Sequence, residues 1–188
     1  MGTFLIPLLL GFTFDSASAF TAAFSRRWGE ERGQWATFVL RNVLGVPLWV
    51  VGLGLAVRSP SPMLFVPPAL LEKVGWVLLA AGCGIQLLAL TSLRGRAAKP
   101  SMADVLVEHG VYGHIRHPIY AALLLEFVAL VLVKPRRTVA LACALGILWA
   151  LVQARLEEVD LLQRMPAYRE YLARVPRFMP RFRTQRSK

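Results

Sequence analysis

The chain has 188 residues, 56% of them hydrophobic, with a formal net charge of +11 and a mean hydropathy of +0.51. It is too apolar for an ordinary soluble domain, and its length suits one domain with a single core. Nine of its 22 basic residues lie from Arg155 onward, beside apolar segments. That placement marks a membrane face and argues against a nucleic-acid partner.

The first apolar run extends from Phe4 to Phe24. No Lys or Arg precedes it, so it lacks the lead of a secretory signal and reads as a retained span. Asp15 interrupts it. A polar loop, Ser25 to Trp35, carries Arg26, Arg27 and Arg32. The second span runs from about Ala36 to Val57, with Arg41 near its start and Pro47 as an expected kink. The linker Arg58 to Pro68 holds Pro60, Pro62, Pro67 and Pro68 and excludes a regular helix. The third span, Val74 to Leu93, has Ala80, Ala81, Gly82 and Gly84 for close helix packing. Cys83 lies in this span and Cys143 in the last. With no Cys-x-x-Cys they read as packed thiols, and no disulfide framework or zinc motif is indicated.

A polar segment from Arg94 to Pro118 follows. The fourth apolar run, Ile119 to Val133, is short for an upright span. Lys134-Pro135-Arg136-Arg137 turns the chain into the fifth run, Thr138 to Leu156. Glu157 and Glu158 then open a polar tail, where Pro166 suits the start of a short helix carrying Tyr168 and Tyr171. The expected fold is therefore all-α: one multi-span integral membrane helical bundle over residues 1–188. It has about five transmembrane helices, including a C-terminal helical hairpin, and a polar tail. The basic residues of the 25–35 loop, the 94–118 segment and the tail share one side, which is expected to be cytoplasmic. Lys134, Arg136 and Arg137 in the hairpin turn argue the other way, and snorkelling lessens that conflict.

The stretch from Glu108 to Tyr120 concentrates the chemistry. It holds all three histidines, His109, His114 and His117, with Arg116, Tyr112 and Tyr120. Pro118 fits the first turn of a helix, where its missing N–H costs nothing. His117 then caps a helix N-terminus beside Arg116, and free amides, the positive end of the dipole and a planar guanidinium suit an anion. Gly110 and Gly113 allow sharp turns on the way in. Beyond Glu108 no close carboxylate or cysteine pattern supports the histidine spacings, so no metal is expected. Glu157 and Glu158 are adjacent, about 100° apart on a helix, so they cannot face one pocket equally. Asp15, Arg41 and Glu126 are charges inside apolar spans and must be paired or functional. Pairing of Arg41 with Asp15 or Glu126 is the structural reading. Orientation of a bound acceptor by Arg41 or Glu126 is the functional one.

Three motifs occur in order: Gly110-x-Tyr112-x3-Arg116-His117-Pro118-x-Tyr120, Glu157-Glu158, and Tyr168-x2-Tyr171 followed by Arg174-Val175-Pro176-Arg177-Phe178-x-Pro180. Together they resemble the isoprenylcysteine carboxyl methyltransferase family, part of a wider set that includes membrane phospholipid methyltransferases. The resemblance implies an S-adenosylmethionine-dependent membrane methyltransferase. It implies that His109, Gly110, Tyr112, Arg116, His117, Pro118 and Tyr120 form one wall of the cofactor site, and Glu157 and Glu158 another. Residues 94–188 are then the cofactor-binding half, and the three spans of 1–93 the acceptor side. The acceptor is lipophilic or small, with a carboxylate, amine or thiol head. By the same resemblance the protein resides in the inner membrane, with cofactor site and C-terminus cytoplasmic. The sequence departs from the family pattern at Pro166-Ala167, where a glycine often precedes the first tail tyrosine. Two other readings compete: a sterol-reductase-like NADPH oxidoreductase, and a non-enzymatic membrane scaffold or transporter subunit. No third glycine completes Gly52-Leu53-Gly54 or Gly82-Cys83-Gly84, so no Rossmann fingerprint is present.

Overall fold

A computed structural model describes residues 2–94 and 99–180. Arg96, one of the basic residues of the 94–118 segment, and the basic residues beyond Pro180 lie outside the described residues. The helices are α1 (Leu5–Ser18), α2 (Thr21–Trp28), α3 (Glu30–Phe38), α4 (Val46–Arg58), α5 (Ala69–Leu93), α6 (Pro118–Val133), α7 (Arg137–Arg164) and α8 (Tyr168–Arg174). Among the described residues no extended strand forms. The architecture is the expected multi-span helical bundle.

The first apolar run is not one straight helix. It breaks between α1 and α2, which are bent by 62°. Two side chains account for the break. Ser18 Oγ donates to the Asp15 carbonyl at 2.6 Å, competing with the backbone ladder at the end of α1. Asp160 of α7 accepts the Ala22 N–H at 2.7 Å and so caps the first turn of α2. The segment expected to be a polar loop, 25–35, is mostly helical, because α2 reaches Trp28 and α3 opens at Glu30 a continuous helix that ends with α4 at Arg58.

Within that long helix, Val39–Gly45 is π-helical and leads directly into Pro47. The wider turn absorbs the amide that proline cannot supply, so the expected kink takes the form of a π-segment. It places Arg41 and Asn42 on the same inner surface as Val46 and Trp49.

Three helices are long and apolar enough to cross a membrane: Glu30–Arg58, Ala69–Leu93 and Arg137–Arg164. The bent α1–α2 pair makes a fourth. α6 has only 16 residues, about 24 Å of helix against a hydrocarbon core of about 30 Å. The five spans expected from sequence are therefore three long helices, one broken span and a short helix. α6 packs between α5 and α7, and its turn with α7 is tied to the proline linker: Leu64 N–H donates to Pro135 O at 2.7 Å and Arg137 N–H to Pro62 O at 3.1 Å. α7 continues past Glu157 and Glu158 to Arg164, so the paired glutamates sit within a helix instead of ending it. The Asp160–Arg164 pair, one turn apart at 2.6 Å, supports that extension.

The main core joins α1, α4, α6 and α7 around Phe12, Phe127, Trp149 and Ala150. α1 approaches the π-segment and α4 closely at two glycines. A Cβ on Gly11 would meet the Trp49 backbone, and one on Gly45 the Asp15 backbone. This contact sets Asp15 beside Arg41. Gly82 of α5 similarly accommodates the Glu126 side chain of α6.

Candidate functional site

The end of α1, the π-segment, the start of α6 and the last turns of α7 meet at one end of the bundle. They border a partly open cavity of about 610 Å³. At its centre Glu157 Oε1 accepts from Arg41 Nη2 at 2.6 Å and from the Tyr120 hydroxyl at 2.7 Å. Arg41 Nε reaches Ser18 Oγ at 3.2 Å and Asp15 Oδ1 at 3.5 Å. Trp49 Nε1 donates to Asp15 Oδ2 at 3.3 Å. Charges from α1, the π-segment and α7 thus meet inside apolar helices, with Arg41 shared between two carboxylates.

Glu158 points elsewhere, as the 100° offset demands. It holds the tail. Arg116 Nη2 lies 3.1 Å from Glu158 Oε1 and Arg177 Nη2 2.5 Å from Oε2, while His117 Nε2 stands 3.2 Å from Oε1. Arg116 Nη1 also donates to the Leu172 and Val175 carbonyls, each at 2.6 Å. The tail backbone completes the clasp: Arg116 N–H donates to Pro176 O and His117 N–H to Arg177 O, at 2.9 and 3.0 Å. The residues after α8 therefore lie along the entry to α6. The guanidinium expected to meet an anion directly is engaged with Glu158 and two carbonyls. The first helical bond of α6 runs from Ala121 N–H to His117 O, so the amides of Ile119 and Tyr120 precede the ladder.

Of the residues expected at the site, Tyr112, Arg116, His117, Pro118, Tyr120, Glu157 and Arg41 line the cavity. Glu158 stands behind them. His109 and Gly110 are exposed, and neither lines the cavity. Gly110 has φ +60° and serves the turn. His114 is also exposed, so the three histidines do not converge. Glu126 faces Gly82 on α5, and one of its oxygens is buried without a hydrogen-bond partner. It is not among the cavity's lining residues, so its position does not fit an acceptor-orienting role. The Arg41 pairing falls on Asp15 and Glu157. Sequence reading did not single out Trp49, Trp149, Asp160 or Arg164. The four-residue spacing of Asp160 and Arg164 was a visible signal for a helical pair; the tryptophans carried none.

The tail tyrosines differ in their hydroxyls. Tyr171 donates to the Tyr112 carbonyl at 2.6 Å, and burial pushes its pKa up to about 12. Its neutral form is favoured in the fold, so this contribution is complete below the unfolded value of about 10 and lost as pH rises towards 12. Tyr171→Phe is expected to cost about 1–3 kcal/mol and to flatten the alkaline limb between pH 10 and 12, read by thermal unfolding. Tyr168 is 2% exposed, lines the cavity, and its hydroxyl has no partner. Burial also pushes its pKa upward, so it remains a donor.

The fold and site define a multi-pass helical membrane protein with a partly open cavity, lined by paired charges and apolar side chains, at one end. Residues 96–163 match the model of the isoprenylcysteine carboxyl methyltransferase (ICMT) family. Over that segment, about a third of the chain, the sequence is similar to this family, in agreement with the motif resemblance. It covers α6 and nearly all of α7; Asp15, Arg41, Trp49 and Tyr168 lie outside it. Neither a search of curated proteins nor one of solved structures found a match.

Proposed function

We propose that the protein is an S-adenosylmethionine-dependent methyltransferase acting on a lipophilic acceptor. The observation that carries this reading is the cavity: about 610 Å³, within the roughly 300–1,000 Å³ of small-molecule sites, with an unpartnered buried hydroxyl at Tyr168. A buried orphan donor is costly unless a ligand completes it. The donor set fits the cofactor. The Ile119 and Tyr120 amides at the start of α6 suit its carboxylate. Glu157 and Asp160 are acceptors suited to its ammonium or ribose, and Tyr112 and Tyr168 offer ring faces. His109, Gly110 and Glu158 act on this reading from outside the cavity, through the turn and the tail.

The bound cofactor supplies a methyl group already activated on a sulfonium. The protein contributes alignment and exclusion of water. Arg41 and Tyr120 hold Glu157 in one orientation, and the tail clasp on Glu158 closes the polar end. Acceptor entry is from the bilayer side, where Val50 and Leu90 line the cavity and remain about half exposed, at 49% and 47%. The basic loops beside the site favour a cytoplasmic orientation.

The test is calorimetric titration of S-adenosylhomocysteine. The intact protein is expected to bind it, and Tyr168→Phe to bind it about tenfold more weakly without loss of thermal stability. No binding by the intact protein sinks the cofactor reading.

A further inference from the structure

We infer that Asp15 is the head-group residue of the acceptor site, holding the ammonium of a lipophilic amine and taking the proton that the amine loses on methylation. The inference rests on the methyl-transfer reading above and names its substrate class.

Asp15 is 4% exposed and lines the cavity on α1, outside the matched family segment. Its contacts are long: 3.3 Å to Trp49 Nε1, 3.5 Å to Ser18 Oγ and 3.5 Å to Arg41 Nε. A carboxylate offers about four lone-pair sites, and contacts at the outer limit of hydrogen bonding leave room for a stronger donor. The groups facing it are Arg41 from the π-segment, Glu157 from α7 and, through Glu157, Tyr120 from α6.

The charged side chains that line the cavity are Asp15, Asp104, Glu157 and Asp160 against Arg41, Arg116 and Arg164, an excess of one negative charge. Glu158 and Arg177, which clamp the Arg116 side, lie behind this lining. A carboxylate acceptor beside Asp15 would meet repulsion, whereas an ammonium completes the balance. Aromatic rings reinforce that choice. Trp49 and Trp149 stand 6.0 Å apart by ring centroids, and Tyr120 meets Trp149 edge-on at 6.1 Å; such faces attract cations. Beyond Asp15 the lining turns apolar through Val46, Val50 and Leu90. These residues lie between α4, which packs on α1 and α7, and α5, which packs on α6. Asp15 therefore stands where a hydrocarbon chain ends and its head group begins.

The step balances. The ammonium gives one proton to the Asp15 carboxylate, and the freed nitrogen lone pair forms the N–C bond. The C–S bond breaks with its electron pair remaining on sulfur, which leaves S-adenosylhomocysteine. A second N–H proton leaves the methylated product only if the site turns over again, after Asp15 has returned its proton to water.

The experiment uses the full chain in lipid nanodiscs, with hexadecylamine and hexadecanoate as probes. Binding is read by tryptophan fluorescence, methyl transfer by mass spectrometry with isotope-labelled cofactor. Hexadecylamine is expected to bind and be methylated, and hexadecanoate is not. Asp15→Asn should weaken amine binding by about 30-fold or more and abolish transfer, while S-adenosylhomocysteine affinity stays within about threefold. Asp15→Glu, which keeps the carboxylate, should recover amine binding. Three results overturn the assignment: amine binding unchanged in Asp15→Asn, preferred methylation of hexadecanoate, or an equal loss of S-adenosylhomocysteine affinity, which would give Asp15 to the cofactor. S-adenosylhomocysteine failing to bind the unaltered protein overturns the methyl-transfer reading and the proton transfer with it. S-adenosylhomocysteine binding without amine binding overturns the present assignment alone.

Discussion

Glu158→Ala is expected to detach the tail and destabilise the protein by about 3–5 kcal/mol. The side chains of Glu158 and Arg116 are each 8% exposed, and that of Arg177 is 32% exposed. Removing the single carboxylate leaves two guanidinium groups facing each other with His117 between them. The backbone bonds from Arg116 and His117 to Pro176 and Arg177 then hold the tail against that repulsion alone. An apparent melting temperature lowered by roughly 6–20 °C, with faster proteolysis after α8, is the expected result. Wild-type stability in Glu158→Ala would mean that the tail is held by its tyrosine cluster, in which Met165, Tyr168, Tyr171 and Val175 pack together. Glu158→Gln keeps the shape and two acceptor positions but not the charge, so its loss should be intermediate.

On the proposed methyl-transfer reading, Arg41→Ala is expected to lower the rate by about 10²–10³-fold. Arg41 binds Glu157 at 2.6 Å and reaches Asp15 and Ser18 through its Nε, so it fixes acids contributed by two different helices. Without it, two carboxylates remain in a cavity with no cation between them, and one of them must take up a proton or swing away. Arg41→Lys should not restore the rate, because a point ammonium cannot reproduce a planar fork that engages both sides. Steady-state rates of labelled methyl transfer, with circular dichroism to confirm folding, check this. A rate within threefold of wild type would remove Arg41 from the site's machinery.

Much of the site is local in the chain and was therefore readable. Tyr112, Arg116, His117 and Tyr120 fall within nine residues, and Pro118 marks the start of a helix by its missing amide. The adjacency of Glu157 and Glu158 showed that they could not face one pocket equally, though both were expected at its wall. Glu157 lines the cavity, and Glu158 serves the tail. The three intramembrane charges were flagged by their cost in lipid, yet the same rule could not say which of Asp15 and Glu126 would meet Arg41. Pairing across helices depends on the crossing of α1 against α4, set by Gly11 and Gly45, and no periodicity reports that.

The sequence by itself determined the class: apolar runs of membrane length, a polar motif at one helix start and a basic tail lead to a helical membrane bundle. Hydropathy is additive along the chain, so it survives without coordinates. Only the tertiary structure decided the break between α1 and α2, the reach of α7 to Arg164, and the occupation of Arg116 by the tail. Each depends on a partner far away in sequence: Asp160 for Ala22, Asp104 for Arg164 at 3.1 Å, and the Leu172 and Val175 carbonyls for Arg116. A side chain's hydrogen-bond capacity is visible in the sequence. Which distant group uses it is settled only when the chain has closed around the cavity.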